Sequence, residues 1–154
     1  MRFRATRRGI LAGAAGFILC GPARASAPQR IVSLNPCLDA ILLEVVERSR
    51  IAALSHYARD AQTSTVAALA ATLPITYETA EEVAALTPDL VLASVHTSIA
   101  TRNALERLNI PFALFDVPEA VRASLAQVSG VAALCQADAR GRQLIADIET
   151  ALKA

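Results

Sequence analysis

Two short apolar runs constrain this chain more than any other feature. Arg30-Ile31-Val32-Ser33-Leu34-Asn35-Pro36 and Leu86-Thr87-Pro88-Asp89-Leu90-Val91-Leu92-Ala93-Ser94 each pass from aliphatic residues into small polar ones. A strand without polar alternation is buried on both faces, the condition of a parallel sheet covered by helices. Parallel strands deliver their carboxyl ends to one rim, and ligands of open α/β sheets bind outside that rim. The polar ends of these runs are therefore where function is to be sought.

The rest of the chain extends the same alternation. Strands are expected at 31–34, 51–54, 90–93 and 112–115, with a short edge strand at Pro74-Ile75-Thr76. Asn35 is placed as an N-cap with Pro36 at the first helical position, and Leu38, Ile41, Leu42, Val45 and Val46 then follow at helical spacing. A polar loop is expected over 58–65 and a turn of alanine-rich helix over 66–71. Thr79-Ala80-Glu81-Glu82 is a capping box opening a helix that ends near Leu86. Further helices are expected over 98–108, closed by a left-handed Asn109, over 118–134, and from 139 onward with Asp138 as its cap. Short connections between strands and helices imply a three-layer α/β lobe with a short parallel sheet flanked by helices. There is no G-x-G-x-x-G or P-loop pattern to anchor a nucleotide.

Residues 1–25 read as a secretory signal peptide rather than as part of the fold. Arg2, Arg4, Arg7 and Arg8 precede an uncharged apolar segment, and Ala23-Arg24-Ala25 is a small-x-small cleavage site, so cleavage after Ala25 is expected. Thr6-Arg7-Arg8-Gly9-Ile10-Leu11 resembles a twin-arginine motif, which leaves that route and the general secretory route both open. The expected location is the periplasm. Of 15 basic and 14 acidic residues, five arginines and no acids precede residue 26, so the remainder carries a net charge of −4. That balance argues against a nucleic-acid partner. Cys37 and Cys135 lack C-x-x-C spacing and are expected as buried free thiols.

The polar residues at the strand ends form the candidate site: Ser33 and Asn35, His56 and Tyr57, Ser94, His96 and Thr97, and Asp116. No G-x-S-x-G elbow activates Ser33 or Ser94, and a pair of histidines lacks further metal ligands, so an enzyme is not expected. Binding without chemistry needs only shape, an aromatic contact and a few hydrogen bonds. No cofactor is implied.

The wording and spacing of these runs, from Arg30 onward, resemble the amino-terminal lobe of periplasmic binding proteins serving iron-siderophore, haem and cobalamin ABC importers. In that family two lobes joined by one long helix hold the ligand between them. The resemblance implies that Ser33-Leu34-Asn35-Pro36, His56-Tyr57 and Ser94-Val95-His96-Thr97 are the ligand-contact loops. It also implies that Glu81 docks the lobe onto an inner-membrane ABC permease. The third loop departs from the pattern of cobalamin binders by lacking an aromatic residue. On this reading 26–135 is the ligand-binding lobe and 136–154 the start of the interdomain helix, with the chain truncated and the second lobe absent. The implied function is to carry a metal-chelate, whether iron-siderophore, cobalamin or haem, to the permease. The alternatives are an exported haem or metal carrier using His56 and His96 as metal ligands, or a degenerate non-binding fragment.

Overall fold

The computed structural model describes residues 26–154, so the leader lies outside the described residues. Five strands alternate with helices: β1 (Ile31–Ser33), α1 (Pro36–Val45), β2 (Ile51–Ser55), α2 (Ala67–Ala70), β3 (Ile75–Thr76), α3 (Ala80–Ala85), β4 (Leu90–Ser94), α4 (Ile99–Arg107), β5 (Phe112–Phe115), α5 (Val121–Leu134) and α6 (Asp138–Ala151). Short 3-10 turns at Arg48–Arg50 and His56–Arg59 flank β2. All pairings are parallel, in the order β3-β2-β1-β4-β5. The expected α/β lobe is the observed one.

Burial explains why the central runs lack alternation. Ile31, Leu90 and Leu92 face one apolar cluster with Leu38, Leu42, Val45 and Val131, the side covered by α1 and α5. Val32, Val91 and Ala93 face a second cluster with Val83 and Leu105, the side covered by α3 and α4. Every residue of β1 and of β4 is buried. Phe112 and Phe115 on β5 continue the split, one packed on each side.

Thr87-Pro88-Asp89 sets the relation of β1 to β4. The Asp89 carboxylate accepts the backbone N–H groups of Gln29 (2.6 Å) and Arg30 (2.8 Å), while the Arg30 guanidinium donates to the carbonyls of Leu86 and Thr87. At the same edge Arg50 donates to the carbonyls of Pro28 and Cys135, both at 2.7 Å, tying the chain before β1 to the end of α5.

Several expectations need correction in detail. Helix α5 begins at Val121 rather than at 118, because the segment before it is held extended. Asp116 accepts the Val117 N–H through its side chain and the Gln127 amide through its carbonyl. Asp138 is the first residue of α6 rather than its cap, and the preceding Ala137 makes no side-chain cap. The turn into α6 is instead fixed by Gln136 at φ 52°, with the Ala137 N–H returning to the Ala132 carbonyl. Asn109, at φ 52°, closes α4 in the same way, as expected. Cys135 is buried, and burial pushes its thiol up to about 11, against an opposing pull from Arg50. Cys37 is exposed, because it lies on the outer face of the first turn of α1, whereas Leu38 and Asp39 of the same turn are buried.

Gly141 marks a close approach between α5 and α6. A Cβ there would lie 2.4 Å from the Cβ of Ala132, so α6 seats against α5 only because residue 141 has no side chain. Gly141→Ala should therefore destabilise the fold by about 1–3 kcal/mol, the usual cost of overpacking, despite the better helix propensity of alanine. Urea unfolding of the two proteins checks this, and an unchanged or higher midpoint would show that α6 is free to shift.

Candidate ligand-binding site

The order of strands, more than any single residue, locates the site. From β1 the chain proceeds to β2 and β3 on one side, then crosses to β4 and β5 on the other, so the order reverses between β1 and β4. Loops leaving such a pair diverge and open a crevice at the carboxyl edge. A groove lies there, bounded by Asn35, Pro36, Tyr57, Ser94, His96 and Thr97, and extended by Glu78 and Val117. A wider depression continues past Phe115 and Asp116 to Glu119 and Gln127.

Local hydrogen bonds hold the groove-lining loops. Asn35 caps α1, its side-chain oxygen accepting the Cys37 N–H at 2.9 Å and the Leu38 N–H at 3.3 Å. The loop after β4 folds on itself. The Ser94 N–H donates to the Thr97 hydroxyl, and the Ser94 hydroxyl accepts the His96 N–H, each at 3.1 Å. This turn buries Thr97 and leaves the His96 ring exposed, with Nε2 4.0 Å from the carboxylate of Asp116.

Not every candidate faces the groove. Ser33 is fully buried, its hydroxyl set between the Asn35 carbonyl, 3.3 Å away, and the Asp39 carboxylate, so it shapes the loop from beneath. His56 is half-buried between two tyrosines. Its ring centroid lies 3.8 Å from that of Tyr57 and 5.0 Å from that of Tyr77, the latter pair stacked. Its Nδ1 is buried and has no hydrogen-bond partner among the described residues. Among the described residues no group of three or more His, Cys, Asp and Glu side chains is arranged to hold a metal ion.

Glu81 is exposed in the first turn of α3. The Thr79 hydroxyl accepts the Glu82 N–H at 3.3 Å, as a capping box requires. The Glu82 carboxylate reaches further back, accepting the Thr76 hydroxyl at 2.8 Å and the Tyr77 N–H at 2.7 Å. Those bonds, that from Thr76 foremost, lower its pKa.

Three residues near the rim escaped sequence reasoning. Tyr77 and Glu78 follow the two-residue strand β3, and the strand-end rule applied to the other strands would have found them. Asp39 sits on α1 among Leu38 and Leu42, fully buried beneath the ends of β1 and β2. Its carboxylate accepts the Ser55 hydroxyl at 2.5 Å and the Ser55 N–H at 3.3 Å. Burial pushes its pKa up to about 6, opposed by the bonds from Ser33 and Ser55 and assisted by the charge of Glu78. Burial likewise raises Glu78, while His56 pulls it down.

A sequence model of periplasmic binding proteins matches residues 31–154, and the chain belongs to that family. No curated protein matches it at a significant level. Solved structures share the fold. A periplasmic haem binding protein from Pseudomonas aeruginosa superposes with a TM-score of 0.70 at 18% identity, over 82% of this chain and 45% of that one. The haem binding protein HutB of Vibrio cholerae gives 0.66 at 16% identity, over 79% and 47%. The vitamin B12 binding protein BtuF of Vibrio cholerae gives 0.59 at 20% identity, over 82% and 49%. The chain thus spans a little under half the length of each, and the likeness is one of fold.

The elevated Asp39 fixes the sign of a pH effect. A carboxyl that binds its proton more tightly when folded favours the folded state fully below its unfolded pKa, near 4, and that contribution is lost as pH rises to about 6. Between those limits the stability of the unaltered protein should fall, relative to Asp39→Asn, by on the order of 2–3 kcal/mol. Denaturant melts across pH 4–7 check this, and parallel curves for the two proteins would show that Asp39 is not the titrating group.

Proposed function

We propose that this chain is the ligand-binding lobe of a periplasmic substrate-binding component of an ABC importer, carrying a metal-chelate to its inner-membrane permease. The observation that carries this reading is the groove over the β1–β4 reversal, where Asn35, Tyr57, Ser94, His96, Thr97 and, in the adjoining depression, Asp116 converge. The groove is an open wall with an aromatic side and a few polar groups. Enclosed ligand sites bury about 70–90% of a drug-sized molecule, so this wall suits a ligand gripped from a second side as well. Family membership supports a binding role, and the basic, apolar and small-residue segments of 1–25 support export to the periplasm, with the signal peptide cleaved after Ala25.

Iron-siderophore, haem and cobalamin are the ligand classes in view, because similar folds bind haem and vitamin B12. Glu81, exposed at the start of α3 and away from the groove, is assigned to permease docking. As a first-turn acid it is favoured by the helix dipole whether or not a partner is present.

Two substitutions separate binding from docking. His96→Ala should lower chelate affinity about tenfold, equivalent to 1.4 kcal/mol, and reduce uptake by intact cells in parallel. Glu81→Ala should leave affinity unchanged and still reduce uptake, with stability altered by less than about 0.5 kcal/mol. Binding by isothermal titration and uptake of radiolabelled chelate, on the same pair of variants, check this. Unchanged affinity on His96→Ala would remove the assigned groove, and normal uptake on Glu81→Ala would make that residue structural only.

A further inference from the structure

The charge of the ligand can be read from Glu78. Four residues other than glycine have positive φ among the described residues: Glu78, Thr87, Asn109 and Gln136. The last three follow the ends of α3, α4 and α5, where a left-handed residue is the ordinary way to stop a helix. Glu78, at φ 69°, ends no helix. Its backbone is held from both sides, its N–H donating to the Thr76 hydroxyl at 3.1 Å and its carbonyl accepting the Thr101 hydroxyl at 3.2 Å. A residue fixed in a costly conformation by its surroundings is a mark of functional sites.

The side chain thus placed is half-buried at the groove, with no hydrogen bond to its carboxylate from the described residues. His56 acts on this carboxylate electrostatically, and its half-buried oxygens stay open to the groove, where a donor on a ligand can reach them. The surrounding charge points the same way. Asp116 and Glu119 line the adjoining depression, and no arginine or lysine among the described residues lines it or the groove. Arg107 and Glu81 face an adjoining groove between α3 and α4 that Glu78, Thr97 and Ser98 also line, so acids still outnumber bases around Glu78; Arg59 is tied to the Leu73 carbonyl.

We propose that Glu78 selects ligand charge at this site, so that the lobe takes a neutral or cationic chelate bearing hydrogen-bond donors and discriminates against polyanionic ones. The inference rests on the chelate-binding reading above and narrows it. A carboxylate facing a triply anionic complex is repelled, and like charges across an interface are a strong source of specificity. Tyr57 and Tyr77, flanking His56, offer rings to an apolar or cationic ligand face without regard to anionic groups.

The chain carries its own reporter. It has two tyrosines and no tryptophan, and both tyrosines lie beside His56 at this rim. Tyrosine fluorescence of the exported chain, corrected for inner-filter absorption, can be titrated with three probes: a singly cationic ferric trihydroxamate, uncharged cyanocobalamin, and a triply anionic ferric tris-catecholate. The cationic or neutral probe should bind at least about tenfold more tightly than the anionic one at low salt. Glu78→Gln should weaken the cationic probe about five- to tenfold, leave the neutral probe within about twofold, and narrow the gap to the anion. In the unaltered chain, added salt should weaken the cationic probe selectively, a readout that needs no variant. Tightest binding of the tris-catecholate, an unchanged ratio of cation to anion affinity on Glu78→Gln, or a salt-independent ratio would overturn the charge assignment alone. Failure of all three probes to bind would overturn the chelate-binding reading itself and this inference with it.

Discussion

The structure depends on a three-residue strand that has no exposed surface. Ile31, Val32 and Ser33 pair with β2 on one side and β4 on the other, and apolar clusters press on both faces. Because β1 is buried everywhere, it cannot slip by one residue without exchanging its two faces. The reversal of strand order beside it then follows from topology, and the groove follows from the reversal. Helices α1, α5 and α6 on one face and α3 and α4 on the other complete the layers that this buried strand requires.

Polar groups secure both ends of that strand, and they differ in consequence. At the amino end, Asp89 binds two backbone N–H groups from an exposed position where its charge is well solvated. At the carboxyl end, Asp39 binds Ser55 from a fully buried position, where ionisation is opposed by desolvation. A buried carboxylate is tolerated only when hydrogen-bonded, and here its partners are the residues that end β1 and β2. Glu78 raises the pKa of Asp39 through its charge, so the floor of the site and its rim are electrostatically linked.

Much of this was legible in the sequence because burial leaves a plain pattern. Unbroken apolar runs marked β1 and β4, the Asn35-Pro36 pair marked the start of α1, and Phe112–Phe115 was read with its observed bounds. The misread details have local causes. The start of α5 was hidden because Pro118 suits a first helical turn, whereas hydrogen bonds to Asp116 hold that segment extended. The residue type of Cys37 suggests the core, but the helical phase that buries Leu38 and Asp39 turns Cys37 outward. Tyr77 and Glu78 were passed over because a two-residue edge strand gives too little periodicity to draw attention to its end. Asp39 left a signal, a lone acid within an apolar stripe, but helix patterning alone does not distinguish a buried acid from one at the margin of the stripe. The leader was read from composition and lies outside the described residues.

The central claim is that ligand binds at the carboxyl edge, over β1 and β4. Helix α1 carries the chain from that edge to the start of β2, where Arg50 and Arg140 border a second groove at the opposite edge. The most direct measurement is paramagnetic broadening of backbone amide signals in the 15N-labelled chain by a ferric chelate, with its gallium analogue as the diamagnetic reference. The account predicts that broadening centres on Asn35, Ser94 to Ser98 and Asp116 to Val117. Broadening centred on Arg50 and residues 136–140, with the carboxyl edge unaffected, would contradict it.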